Sequence, residues 1–169
     1  MWFQLPTTER NRTLSIKHIY QSLFSFAINE PMLMRRSLIG ACAFGMLSII
    51  FTTMTFLLAE APYFFNDFQI GLMGVVGIVG IWSSQWTGKK IAQHREKWLA
   101  KLTTSCLLLA WIPLFFAQKH LSLYILGLIF AYFGISSLHV LNQNLVYRIS
   151  LQARSRINAI YMTLYFSGA

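Results

Sequence analysis

Apolar runs of bilayer length, divided by clusters of positive charge, leave this chain one class of fold. A hydrocarbon core about 30 Å thick asks for roughly 20 apolar helical residues. Four stretches meet or approach that requirement: 37–59, 70–87, 102–117 and 121–141. Thirteen of the fourteen Lys and Arg residues fall in three clusters. The first is Arg10, Arg12, Lys17, Arg35 and Arg36; the second is Lys89, Lys90, Arg95, Lys97 and Lys101; the third is Arg148, Arg154 and Arg156. The links within each pair of apolar stretches hold Glu60 and Asp67 in one case and Lys119 in the other. Basic loops are kept on the cytoplasmic side of a membrane, so the pattern predicts a multi-pass protein with its N-terminus in the cytoplasm. The expected fold class is all-α, a polytopic membrane helical bundle.

Composition agrees. Hydrophobic residues make up 56% of the 169 and charged residues 11%, against about 25% charged in a soluble domain. Too little polar surface exists to cover a water-soluble globule. The net charge of +9 does not point to nucleic acid, because the basic residues sit at the ends of apolar runs and form no aromatic-laced patch on a soluble fold. Cys42 and Cys106 lie inside apolar stretches, so no disulfide framework is expected.

The N-terminal residues 1–6 lack the basic lead and long apolar core of a signal peptide. Leu14, Ile16, Ile19, Tyr20, Leu23, Phe24 and Ala27 recur at helical spacing. They fit an amphipathic helix on the membrane surface or, equally, a linker. Asn29-Glu30-Pro31 ends that stretch. Pro113 should kink the third apolar helix. Residues 118–120 alone join the third and fourth, which makes those two antiparallel neighbours. A fifth apolar stretch, 157–169, would reach only about 20 Å as a helix. A helix ending in hydrocarbon leaves its last carbonyls without partners. The expectation is therefore a piece of a larger protein.

Gly71, Gly74, Gly77 and Gly80 give the second helix a smooth strip that winds around it. Such a strip serves close helix packing, static or sliding. Three polar stripes appear at helical spacing. Ser48, Thr52 and Thr55 share a face of the first helix. Tyr132, Ser136, His139 and Gln143 share a face of the fourth. Asn158, Tyr161 and Tyr165 share a face of the fifth. At such depths they line a water-filled substrate path or hydrogen-bond between helices. No Asp or Glu lies mid-span, so His139 is the one buried candidate for carrying a proton, and packing is its alternative role. Phosphate-cradling loops, nucleophile elbows and zinc spacings are missing from the sequence. Catalysis, a cofactor and a metal are accordingly not expected.

Asn142-Gln143-Asn144, Arg148, Ala153-Arg154-Ser155-Arg156-Ile157-Asn158, Tyr161-Met162-Thr163 and Tyr165-Phe166-Ser167-Gly168-Ala169 resemble the link between helices ten and eleven of bacterial major facilitator superfamily transporters. The match is to inner-membrane, efflux-type members, and it extends over essentially the whole chain. The resemblance implies that residues 1–36 are the end of helix six and the cytoplasmic central loop. Residues 37–169 would be helices seven to eleven, part of the C-terminal half of a twelve-helix fold. The family also places a G-x-L-A-D-R-x-G-R-R loop between helices two and three and, in weaker form, between eight and nine. Here Gly88-Lys89-Lys90-Ile91-Ala92-Gln93-His94-Arg95-Glu96-Lys97 stands at the second place. Gln93 replaces the acid, His94 the Arg and Glu96 the second Gly.

The resemblance further implies secondary, ion-coupled efflux by alternating access. The implied partners are the bilayer, an N-terminal transporter half and a small-molecule substrate. Gly88, Lys89, Lys97, Arg148, Arg154 and Arg156 become candidates for cytoplasmic gate loops; simple charge anchoring is their other role. A small self-standing membrane subunit remains the alternative.

Overall fold

A computed structural model describes Gln21, Leu23, Ser25 and residues 28–169. Of the expected amphipathic stretch, only Leu23 is among these residues; the rest, with Arg10, Arg12 and Lys17, lies outside them. The described residues form an all-α bundle without strands. Its elements are α1 (Pro31–Ala59), α2 (Asp67–Leu72), a short 3-10 stretch (Met73–Gly77), α3 (Ile78–Ala92), α4 (Glu96–Phe115), α5 (Leu121–Tyr147) and α6 (Arg154–Phe166).

Among the described residues, four helical runs are long and apolar enough to cross a bilayer: α1, the continuous run Asp67–Ala92, α4 and α5. Large apolar side chains point outward along them. Phe115 is 81% exposed and Phe68 75%, a surface suited to lipid and costly in water.

Local chemistry sets the ends. Pro31 opens α1 at a position where its missing N–H is no loss. The run Asp67–Ala92 starts in a capping box. Asn66 Oδ1 accepts from the Gln69 backbone at 2.9 Å, and Gln69 Oε1 accepts from the Asn66 backbone at 3.0 Å. The 3-10 stretch falls within the Gly71–Gly80 series, where helix propensity is low. Pro113 is tolerated in α4, which ends two residues later at Phe115. His94 turns the chain between α3 and α4 with a φ of 56°.

The helices run past the apolar stretches that mark them in the sequence, and in two of them the extension carries polar residues into the bundle. α1 begins at Pro31, so Arg35 and Arg36 occupy its first two turns. α5 continues through Asn142, Gln143 and Asn144 to Tyr147. Asn142 is accommodated because Arg36 of α1 supplies its hydrogen-bond partners, and Gln143 because it donates to Tyr147 one turn on in the same helix.

The fifth helix is the hub of the bundle. It packs against α3 and α4 on one side and against α1 and α6 on the other. Small residues set the approach. A Cβ on Gly127 would stand 2.6 Å from Leu114 Cγ, and one on Gly134 would stand 2.8 Å from Leu107. Gly127, Ala131 and Gly134 thus bring α4 close to α5. Gly77 and Gly80 do the same for α3: a Cβ on Gly80 would meet Ser136 Oγ at 2.6 Å. Gly71 and Gly74 face open space. The glycine strip therefore divides into a packed half and an unpacked half.

Candidate functional site

The polar residues of α5 and α6 converge with Arg36 of α1. Each has a reason to be there: helix geometry places His139, Asn142, Gln143 and Tyr147 within two turns of α5. Asn158, Tyr161 and Tyr165 lie at i, i+3 and i+7 on α6. Asn142 is fully buried. Its Oδ1 accepts from Arg36 Nη1 at 3.2 Å, and its Nδ2 donates to the Arg36 carbonyl at 3.4 Å. The Tyr161 hydroxyl lies 3.4 Å from His139 Nδ1. The His139 ring packs on Tyr165 with centroids 4.6 Å apart and on Tyr161 at 5.8 Å. Gly40 of α1 makes room for both tyrosines.

A second chain of hydrogen bonds runs beside the first. Gln143 Nε2 donates to Tyr147 Oη at 3.0 Å, and Tyr147 donates onward to Asn158 Oδ1 at 2.6 Å. Together the two chains form a polar seam that ties α1, α5 and α6. Within hydrocarbon such groups are costly unless partnered, and most of these are partnered. Asn144 Oδ1 is the exception beside the seam: it is buried without a hydrogen-bond partner.

The remaining sequence candidates sit elsewhere. Tyr132 packs edge-on against Phe51 at 6.2 Å and lies against Gly77. Ser136 faces Gly80. On α1, Ser48 is half-buried, while Thr52 and Thr55 are exposed. Thr52 donates its hydroxyl back to the Ser48 carbonyl at 2.9 Å. The first stripe thus stands apart from the seam.

Gly88, Lys89, Lys97 and Arg154 are exposed, and Arg156 is half-buried. Arg148 Nη1 meets Glu96 Oε1 at 2.9 Å, which ties the end of α5 to the start of α4. Glu96, which departs from the loop pattern, is therefore the acid that partners this basic end of the bundle.

Two open grooves of about 950 and 640 Å³ lie between α1 and α4, with α5 as their floor. Ile49, Trp111 and Tyr124 are among their walls. None of the ten candidate cavity residues lines either groove.

Arg36, Asn142 and Tyr147 belong to the seam without having been selected from the sequence as cavity residues. Arg36 reads as a membrane anchor when only charge position is considered. Asn142 and Tyr147 sit at i+3 and i+8 from His139, and that spacing was the available signal. A further buried polar face, Ser83 and Thr87 on α3, turns toward α5. Gln85, the one strongly polar residue of the stretch 70–87, is exposed.

The chain is similar to curated proteins that carry transporter names. One is the "Uncharacterized transporter YgaY" of Escherichia coli O157:H7, 32% identical over 168 residues, which are 99% of this chain and 43% of that protein. The YgaY protein of Escherichia coli strain K12 matches with the same identity and coverage. An "Uncharacterized transporter" of Buchnera aphidicola subsp. Schizaphis graminum is 23% identical over 167 residues, covering 98% of this chain and 40% of that one. The chain thus spans less than half the length of these relatives. No family model matches it. No solved structure matches it. With four helices able to cross a bilayer, the chain is a multi-pass helical membrane protein.

Proposed function

We propose that this chain is part of a major facilitator superfamily transporter and forms most of its C-terminal half. The hydrogen-bonded seam of α1, α5 and α6 carries the reading. Polar side chains held inside an apolar bundle are rare and tend to mark substrate or ion paths. The transporter names of the relatives support it, as does a share of their length close to one half. In this reading the bundle is one of two pseudo-symmetric halves that rock about a central site.

Ser48, Thr52, Thr55, Tyr132, Ser136, His139, Gln143, Asn158, Tyr161 and Tyr165 line one wall of the path. Their hydroxyl, amide and imidazole groups suit a neutral or amphipathic small molecule. His139, hydrogen-bonded to Tyr161, carries a proton if this half takes part in coupling. The 88–101 and 148–156 segments supply gate contacts on the cytoplasmic face, and the complete protein works as a secondary exporter in a bacterial inner membrane. The 3-10 stretch Met73–Gly77 supports a rocking second helix, since such interruptions often mark hinges.

The test has two arms. The DNA on both sides of the coding region is read in all frames, and the chain is reconstituted alone in proteoliposomes. The proposal expects six apolar helices encoded upstream, and no flux from the isolated chain with a panel of sugars, drugs and amphipathic metabolites. Substrate-dependent flux from this chain alone would overturn the half-transporter reading. So would non-coding flanks, which favour a self-standing subunit.

A further inference from the structure

The second basic cluster stands beside an aromatic wall that the transport reading leaves unused. Trp82 and Trp86 lie one turn apart on α3, with ring centroids 6.5 Å apart and planes inclined by 19°. Trp86 meets Trp98 of α4 at 5.9 Å and Phe133 of α5 at 5.7 Å. Trp82 meets the same Phe133 at 6.4 Å. Three of the chain's five Trp residues therefore form one wall across three helices. This wall is open to the outside: Trp82 is 59% exposed and Trp98 47%.

Positive charge crowns one end of the wall. Lys90 Nζ sits 5.8 Å from the Trp86 ring centroid, within cation–π range. It also donates a long hydrogen bond of 3.3 Å to Gln93 Oε1. Lys101 follows Trp98 by three residues and so shares its face of α4. Lys89, Arg95 and Lys97 are exposed nearby in sequence. Glu96, the one acid between residues 88 and 101, is engaged by Arg148.

The ligand that complements this surface has an anionic head and an apolar tail. Trp82 lies eight residues from Lys90, about 12 Å along the helix. That distance separates a headgroup from the first part of its acyl chain. Trp rings favour this boundary depth, and basic pockets between membrane helices suit phosphate headgroups. A zwitterionic head would bring a cation of its own toward the lysines. A soluble phosphate would leave the exposed Trp82 ring without a partner.

We propose that this surface binds an anionic phospholipid, with the headgroup phosphate held by Lys90 and Lys101 and an acyl chain along Trp82 and Phe133. The site requires only that the chain be a membrane bundle; it shares Lys90 and Lys101 with the proposed gate segment 88–101, and its test reads lipid binding, not transport.

Native mass spectrometry tests it on the full chain in mixed micelles doped with dioleoyl phosphatidylglycerol or dioleoyl phosphatidylcholine. Preferential retention of phosphatidylglycerol is expected. Lys90→Gln and Lys101→Gln should each lower that retention about fivefold. Lys119→Gln, at the opposite end of the bundle, should leave it unchanged. Trp82→Leu should reduce quenching of the chain's fluorescence by acyl-brominated phosphatidylglycerol. Equal retention of the two lipids overturns the proposal. So does an equal loss in Lys119→Gln, unchanged quenching in Trp82→Leu, or displacement of the lipid by millimolar inorganic phosphate. Far-ultraviolet circular dichroism verifies that each variant keeps its helix content.

Discussion

Replacing Asn142 by Leu removes the amide that brackets Arg36 and keeps a side chain of similar length in a fully buried place. The Nδ2 contact to the Arg36 carbonyl, at 3.4 Å, is at the long limit of a hydrogen bond. Most of the interaction therefore resides in the charge-assisted contact from Nη1 at 3.2 Å. Polar contacts between membrane helices average about 0.6 kcal/mol and reach about 1.7. Charge moves this one toward the upper figure, while the half-exposed position of Arg36 lets water compete and moves it back. A coupling of about 1 kcal/mol is expected. The single substitution should cost more, about 2 kcal/mol, because the guanidinium and the Arg36 carbonyl both lose a partner. A double-mutant cycle of Arg36→Met with Asn142→Leu separates these quantities. Reversible unfolding in mixed micelles titrated with dodecyl sulfate, followed by helicity, supplies the free energies. The double variant should cost about 1 kcal/mol less than the sum of the singles. Additivity to within about 0.3 kcal/mol would refute the bracket and leave Arg36 as a membrane anchor only.

Other substitutions probe the rest of the bundle. Gly80→Val should lower the melting temperature by several degrees because its side chain meets Ser136, whereas Gly71→Ala should be neutral or stabilising by up to about 1 kcal/mol, as nothing lies within 4 Å; equal effects at the two positions would count against the divided glycine strip. Tyr147→Phe removes both links between Gln143 and Asn158 and should cost about 1–2 kcal/mol, measured by the same micellar unfolding; no loss would mean that the second chain of hydrogen bonds is not formed in the folded protein. Glu96→Gln should cost little, since its partner Arg148 is half exposed, and any loss should shrink as salt rises; a salt-independent loss would point to another cause.

The fold was legible because membrane insertion depends on composition over whole segments. The runs 37–59 and 121–141 fall within α1 and α5, the run 70–87 crosses α2, the 3-10 stretch and α3, and 102–117 overruns the end of α4 by two residues, while the tight link at 118–120 delivers α4 and α5 as packed neighbours. What could not be read was where each helix stops being apolar without stopping being helix. Asn142-Gln143-Asn144 lies beyond the apolar run 121–141, and three successive amides are costly in lipid unless partnered. The structure continues the helix because Arg36 and Tyr147 meet Asn142 and Gln143 from the side. Those partners lie 106 and 4 residues away, and only the first is a matter of tertiary structure. The seam itself was half legible. Periodicity groups His139 with Gln143 and Tyr161 with Tyr165. It carries no information on the rotation of α1, whose Ser48, Thr52 and Thr55 stripe stands away from the seam while Arg36 reaches into it.

The arrangement around α5 explains why small and polar residues divide the work between its two sides. Toward α4 the contact is made by Gly127, Ala131 and Gly134, and the backbones come close enough for dispersion to dominate. Toward α1 and α6 apolar packing, such as Met46, Ile50, Ile135, Leu138, Val146 and Ile157, is joined by His139, Asn142 and Gln143, whose hydrogen bonds are few, directional and exchangeable. A glycine contact loses its attraction steeply with distance, so it holds a pair of helices in one register. A hydrogen-bonded contact can trade one partner for another or for water at little net cost. The α4–α5 pair is therefore built to stay together, and α1 and α6 are held closely too, since a Cβ on Gly45 would collide with the Gly168 carbonyl just past α6; the hydrogen bonds between α5 and α6 are where partners can exchange without leaving polar groups stranded. The difference can be measured. Amide exchange should be slowest along the α4–α5 contact and faster in α6, and uniform protection across both sides would remove the distinction.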